Sequence, residues 1–260
     1  MKIKIFFWTL FIASVLKAQT YEVVPEFEKF FKEAGVVGSI VVYDYKNNIY
    51  KTFNDERNNT EFLPASTFKI INSLIFLETG VIKDADEIIQ WDGIERFYDM
   101  WNQDQTLRSA FKYSTVWVYQ ELARKVGEEK MQNYVDACNY GNKNIGGGID
   151  RFWLDGDIRI TPYQQIEFLV KFYENKLPFS DRTFEIVKDI FIKEKTENYT
   201  LRGKTGWAVR FKPQTGWFVG YLEKDDNAYF FATQIAIEKD EDTKAREKVT
   251  RDILAYLGLM

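Results

Sequence analysis

The chain has 260 residues with 39 acidic and 35 basic side chains, a formal net charge of −4, one cysteine and no histidine. The absent histidine excludes a Ser-His-Asp triad and imidazole zinc sites, lone Cys138 excludes thiolate zinc centres and an internal disulfide, and the acidic balance argues against a nucleic-acid partner. A hydrolase with this composition must take its base from a carboxylate or a lysine.

In chain order, Lys2 and Lys4 precede a mainly apolar run from Ile5 to Leu16 and then Ala18. That layout predicts a signal peptide over residues 1–18, export to an oxidising compartment, and a single catalytic domain over 19–260. The run is short for a bilayer span, and no later stretch is apolar for long enough, so no membrane contact is expected once the signal is removed. Phe27, Phe30, Phe31 and Ala34 recur at helical spacing and stop at Gly35. Val37–Tyr43, Lys46–Asn48 and Ile49–Phe53 read as a β-hairpin.

A helix is expected from Ser66 to Gly80, and others over Val116–Val126, Glu128–Ala137 and Pro162–Tyr173. The last of these has a cap at Thr161 with Gln164 three residues on. Strands then follow over Tyr199–Val209, Gly216–Leu222 and Ala228–Ile237, and Lys244–Tyr256 reads as a closing helix. This order predicts an α+β fold: an antiparallel sheet flanked by helices and built from both chain ends (about 19–72 and 176–260), with a helical lobe (about 73–175) inserted between them.

Ser-x-x-Lys puts an amine one helical turn from a hydroxyl, and a lysine kept neutral by burial can take the serine proton. The pattern occurs at Ser14/Lys17, Ser66/Lys69 and Ser109/Lys112. The first falls in the signal. Context favours the second: Pro64-Ala65 turns the chain so that Ser66 opens a helix, and Phe68, Ile70, Ile71 and Leu74 supply apolar surroundings. A plain helix start with a snorkelling lysine is the competing reading. Lys204-Thr205-Gly206 opens an apolar strand, where a lysine and a hydroxyl could hold a carboxylate; an ordinary strand start is the alternative.

Pro64-Ala-Ser-Thr-Phe-Lys69, Tyr113-Ser-Thr-Val116, Tyr140-Gly-Asn142, Phe152-Trp-Leu-Asp-Gly156 and Lys204-Thr-Gly206 together resemble the ordered motif set of the class D serine β-lactamases, the oxacillinase type. The likeness runs from about Thr60 to the C-terminus, and Trp101–Asp104 and Val118–Glu121 also fit. What the resemblance implies is the serine β-lactamase/penicillin-binding-protein fold and hydrolysis of β-lactams through a Ser66 acyl-enzyme, with antibiotic resistance as the consequence.

On the same footing, Lys69 would be carbamylated by carbon dioxide or bicarbonate (N6-carboxylysine) and act as general base. Trp153, Val116 and Leu154 would support the carbamate. The backbone N–H groups of Ser66 and Trp207 would form the oxyanion hole, and Ser114 and Lys204 would relay a proton. Thr205, Gly206, Arg246 and Trp101 would bind substrate, and Arg210 would pair with Asp155. Tyr140-Gly141-Asn142 would mainly shape the site, with a catalytic role as the equal alternative. No metal, other cofactor or nucleic acid is implied. Periplasmic residence, as a monomer or homodimer, is expected. A β-lactam sensor domain, a cell-wall transpeptidase and an aromatic-rich envelope binding protein are the rival readings, and Trp207 departs from the smaller aromatic of some relatives.

Overall fold

The computed structural model describes residues 18–260, so the signal segment and the Ser14/Lys17 pattern lie outside the described residues, apart from Ala18. Seven strands form one sheet: β1 (Thr20–Val23), β2 (Gly38–Asp44), β3 (Ile49–Phe53), β4 (Ile192–Lys195), β5 (Thr200–Ala208), β6 (Gln214–Lys224) and β7 (Asn227–Ile237), in the order β1-β3-β2-β7-β6-β5-β4. Early strands thus pair with late ones through β2 and β7, with Gly38 opposite Ile235, as expected of a sheet made from both chain ends. One expectation needs correction. The sheet is mixed, because β1 runs parallel to β3 at one edge while the other pairs are antiparallel. A four-residue strand with mostly exposed positions carries too little apolar alternation to read as a strand.

The helices are α1 (Glu28–Ala34), α2 (Asp55–Asn58), α3 (Lys69–Glu78), α4 (Leu107–Tyr113), α5 (Val116–Val126), α6 (Glu128–Cys138), α7 (Pro162–Tyr173), α8 (Asp181–Ile190) and α9 (Ala245–Tyr256). Side chains alternate across each strand, so one sheet face packs Phe231, Ile235 and Phe218 against Phe27, Phe31, Val249 and Ile253 of the terminal segments. The opposite face, with Phe230, Val219 and Tyr221, meets the helical lobe through Ile166, Leu169 and Phe172. Within that lobe α3 is the central rod, and every residue from Lys69 to Leu77 is buried.

The lobe also runs further than expected. Helix α8 joins it: Glu78, at the end of α3, accepts hydrogen bonds from Ser180 N (2.9 Å), Ser180 Oγ (2.9 Å) and Thr183 Oγ1 (2.8 Å). Helix α7 starts where its cap requires, with Thr161 and Gln164 bonded reciprocally and Pro162 in the first turn. A second capping box, Thr106 with Ser109, starts α4 and accounts for the Ser109/Lys112 pattern as a helix cap with an exposed lysine.

Candidate active site

Ser66 lies in a 3₁₀ turn, Ala65–Phe68, that tightens the entry to α3. The helix proper therefore starts at Lys69, one turn later than the sequence suggests. Ala65 takes a left-handed conformation (φ 49°), costly for a residue with a Cβ, and this turn presents Ser66 partly exposed beside a buried helix. Neighbouring elements hold the turn in place. Trp217 Nε1 donates to Leu63 O (2.9 Å), Gln165 Nε2 of α7 donates to Thr67 Oγ1 (3.0 Å), and Thr67 Oγ1 donates to Pro64 O (2.8 Å). On β5, a Cβ at Gly206 would come within 2.9 Å of Pro64 O and 3.1 Å of Thr67 Cγ2. Glycine there lets the strand lie directly against the Ser66 turn.

Lys69 is fully buried, and its Nζ makes a long 3.4 Å hydrogen bond to Ser66 Oγ. Burial lowers its amine from the ordinary lysine range to about 7, and among the described residues it forms no ion pair. Such an amine is deprotonated at neutral pH far more often than a surface lysine. The reading of Lys69 as a snorkelling side chain fails on this burial.

Helix α4 ends at Ser114, again left-handed (φ 56°), which turns the hydroxyl back toward β5. There Lys204 Nζ donates to Ser114 Oγ (2.6 Å) and to Thr205 O (3.0 Å), with the Phe111 ring 5.6 Å away. Burial, and then the positive charges of Lys69 and Arg246, hold Lys204 well below the usual lysine range. Arg246 sits in the first turn of α9, Nη1 donating to Gly206 O (2.9 Å), while its buried Nε has no partner. Burial lowers the guanidinium to about 10. The basic side chains of Lys204 and Arg246 thus converge around Gly206 and Ser114, where they could receive an anionic substrate group.

Trp153 is fully buried and stacks on Phe68 (5.9 Å between centroids, 12° between planes), the residue before Lys69. Its indole N–H has no hydrogen-bond partner, an unusual cost for a buried donor. Leu154 follows and packs on the same core, and Val116 opens α5 two residues after Ser114. The carbamate that the resemblance implies on Lys69 is chemically compatible with these groups: an anion there would suit an indole donor that lacks an acceptor and would replace the buried amine.

Trp101 is tied next to Ser114, its Nε1 donating to Tyr113 O (3.0 Å). Trp207 lies one residue before the end of β5, opposite Gly216; its ring packs toward the terminal-helix core and its Nε1 donates to Gln214 Oε1 (2.9 Å), so the larger aromatic is accommodated on that side of the sheet. Thr205 shares this alternation, half-buried. Arg210 pairs with Asp155, as anticipated, and Asp155 also receives Arg151 (2.6 Å). The contacts of Tyr140-Gly141-Asn142 are packing ones: Tyr140 packs edge-on to Phe68 (5.2 Å), a Cβ at Gly141 would lie 2.0 Å from Arg159 O, and Asn142 Oδ1 accepts from Arg159 N (3.0 Å). Tyr119, whose ring lies 4.5 Å from Lys69 Nζ, falls within the Val118–Glu121 stretch of the resemblance but received no role there, and the backbone geometry of Ala65 was not anticipated. The position of Tyr119 one turn into a helix starting beside Ser114 is the signal that pointed to it.

A buried lysine beside a partly exposed serine, a second serine–lysine pair and a neighbouring arginine define a serine–lysine acyl-transfer protein of the penicillin-binding type. The penicillin binding protein transpeptidase domain matches residues 38–255. The chain is 44% identical over 224 residues to the β-lactamase OXA-48 of Klebsiella pneumoniae, covering 86% of this chain and 84% of that protein. It is 52% identical to a crystallised class D β-lactamase from Nostoc (TM-score 0.89), covering 90% of this chain and 99% of that one. The regulatory protein BlaR1 of Bacillus licheniformis is 36% identical over 235 residues, which are 90% of this chain but 39% of BlaR1. This chain belongs to the class D β-lactamase family.

Proposed function

We propose that the chain opens β-lactam rings through a Ser66 acyl-enzyme and releases the product by hydrolysis, with a carbamylated Lys69 as general base. The observation that carries this reading is the buried Lys69 amine, free of any ion pair among the described residues and held against Ser66; Lys69 follows Phe68, on whose ring the Trp153 indole stacks with its buried N–H unpartnered. Carbon dioxide bound to that amine would supply an anionic base that needs no histidine.

The chain's own residues account for the remaining steps. Ser66 Oγ attacks the ring carbonyl, giving up its proton toward Lys69, and the developing oxyanion is received by the N–H groups of Ser66 and Trp207. Lys204 and Ser114, already hydrogen-bonded, carry a proton to the ring nitrogen as the C–N bond breaks. Arg246 and Thr205 hold the substrate carboxylate, and Trp101 walls the cleft beside Tyr113. Trp153, Val116 and Leu154 keep the Lys69 pocket dry. Turnover rather than permanent acylation is the reading supported by the greater identity to OXA-48 than to BlaR1. No helix among the described residues is long and apolar enough to cross a membrane. Residues 1–18 support export, and the likeness to the class D family supports residence in the periplasm.

Hydrolysis of a chromogenic cephalosporin, followed with and without added bicarbonate below neutral pH, tests both parts. Sustained turnover that falls in acid and recovers with bicarbonate is expected. A single burst with no steady state would establish a sensor, and indifference to bicarbonate would remove the carbamate.

A further inference from the structure

We propose that the ring face of Tyr119 sets the proton and carbon dioxide affinity of Lys69, favouring the ammonium and opposing the carbamate, a refinement that rests on the carbamate reading above. Lys69 Nζ lies 4.5 Å from the Tyr119 ring centroid, within cation–π range, and both side chains are fully buried. Ring orientation is fixed. Ser73 Oγ gives its proton to Lys69 O (2.7 Å), so the 2.8 Å contact between Ser73 Oγ and Tyr119 Oη must be donated by the phenol. Burial pushes that phenol far above its ordinary range, so the ring stays neutral and its quadrupole constant at any working pH.

The other groups acting on Lys69 do not compensate its charge. Ser66 offers one long hydrogen bond, a charge on Lys204 would only repel one on Lys69, and among the described residues no carboxylate pairs with Lys69. The electron-rich face of Tyr119 is then the feature that stabilises the charged amine, and the same face repels an anion. Carbamate formation needs the free base: the amine lone pair attacks the carbon of carbon dioxide, the N–C bond forms, one C=O π pair moves onto oxygen, and the N–H proton leaves to water. Holding the ammonium and repelling the product act in the same direction. Tyr119 thereby keeps the modification reversible near neutral pH, so that loading follows pH and bicarbonate.

The test compares wild-type protein with Tyr119→Phe, Tyr119→Leu and a variant carrying tetrafluorophenylalanine at 119, which keeps the ring shape while draining its quadrupole. Two readouts are used: the titration of Lys69 by ¹³C NMR of ε-labelled lysine in carbon dioxide-free buffer, and uptake of ¹³C-bicarbonate. Tyr119→Phe should stay within about twofold of wild type. The fluorinated ring should lower the lysine pKa by about one unit and tighten carbon dioxide binding roughly tenfold. Tyr119→Leu should follow the fluorinated ring, and if it fails to fold the phenylalanine pair decides alone. Identical behaviour of the two phenylalanine variants, or weaker uptake with the fluorinated ring, overturns the proposal. Wild-type protein that takes up no label would instead remove the carbamate, while the lysine titration would still judge the ring.

Discussion

At the scale of single residues, the site separates groups that hold charge from groups that hold shape. Trp153 belongs to the first kind, since its ring already packs on Phe68 and only its N–H lacks a partner. Trp153→Phe keeps the stack and deletes the donor. Because a hydrogen bond to a charged group contributes about 1.5–3 kcal/mol, deacylation should slow roughly ten- to hundredfold, with excess bicarbonate restoring part of the loss. Pre-steady-state kinetics that leave deacylation unchanged would take Trp153 out of the carbamate pocket. Arg246 is the counterpart on the substrate side. If it contributes uniform binding through its remaining N–H groups, Arg246→Ala should raise KM roughly tenfold or more while kcat changes little. Its bond to Gly206 O also steadies β5. A collapse of kcat alone would therefore assign Arg246 to strand positioning.

At the scale of elements, the site depends on a close approach between β5 and the turn before α3. Gly206→Ala inserts a methyl 2.9 Å from Pro64 O and 3.1 Å from Thr67 Cγ2, and neither backbone nor the clamped threonine can yield cheaply. The substitution should cost about 1–3 kcal/mol of stability and lower kcat more than that loss of folded protein explains, measured on protein shown by circular dichroism to be folded. An unaltered kcat would mean that the strand can shift without moving Trp207.

What was legible in the sequence follows the same division. Helices α5 and α7 were readable because their apolar periodicity and, for α7, the Thr161 cap act locally, and β2, β3 and β7 because short apolar runs bounded by turn residues mark them. β1 was not, since a parallel edge strand takes its identity from β3 rather than from its own side chains. The residues of the site were likewise named from motif order. The left-handed Ala65 and the ring beneath Lys69 were hidden, because both arise from packing between segments far apart in the chain.

At the scale of the whole molecule, Lys69 sets activity against stability. An amine at the end of a fully buried rod, lowered from 10.5 to about 7, binds its proton far more weakly in the folded chain than in the unfolded one. Between about pH 7 and pH 10.5 the unfolded state holds more protons, so stability rises with pH across that window. Below about 7 both states are protonated, and the cost of burying the ammonium is borne in full. Replacing the amine with an apolar chain of similar length removes that cost. Lys69→Met should abolish turnover yet stabilise the fold, by on the order of 2–4 kcal/mol at pH 6 and by progressively less toward pH 10, read from urea denaturation. Bicarbonate should narrow the gap near neutral pH, because a carbamate forms on folded wild-type protein alone and stabilises it by mass action. A methionine variant less stable than wild type at pH 6 would show that the amine is solvated or paired in solution, and the buried base would then be lost along with the mechanism built on it.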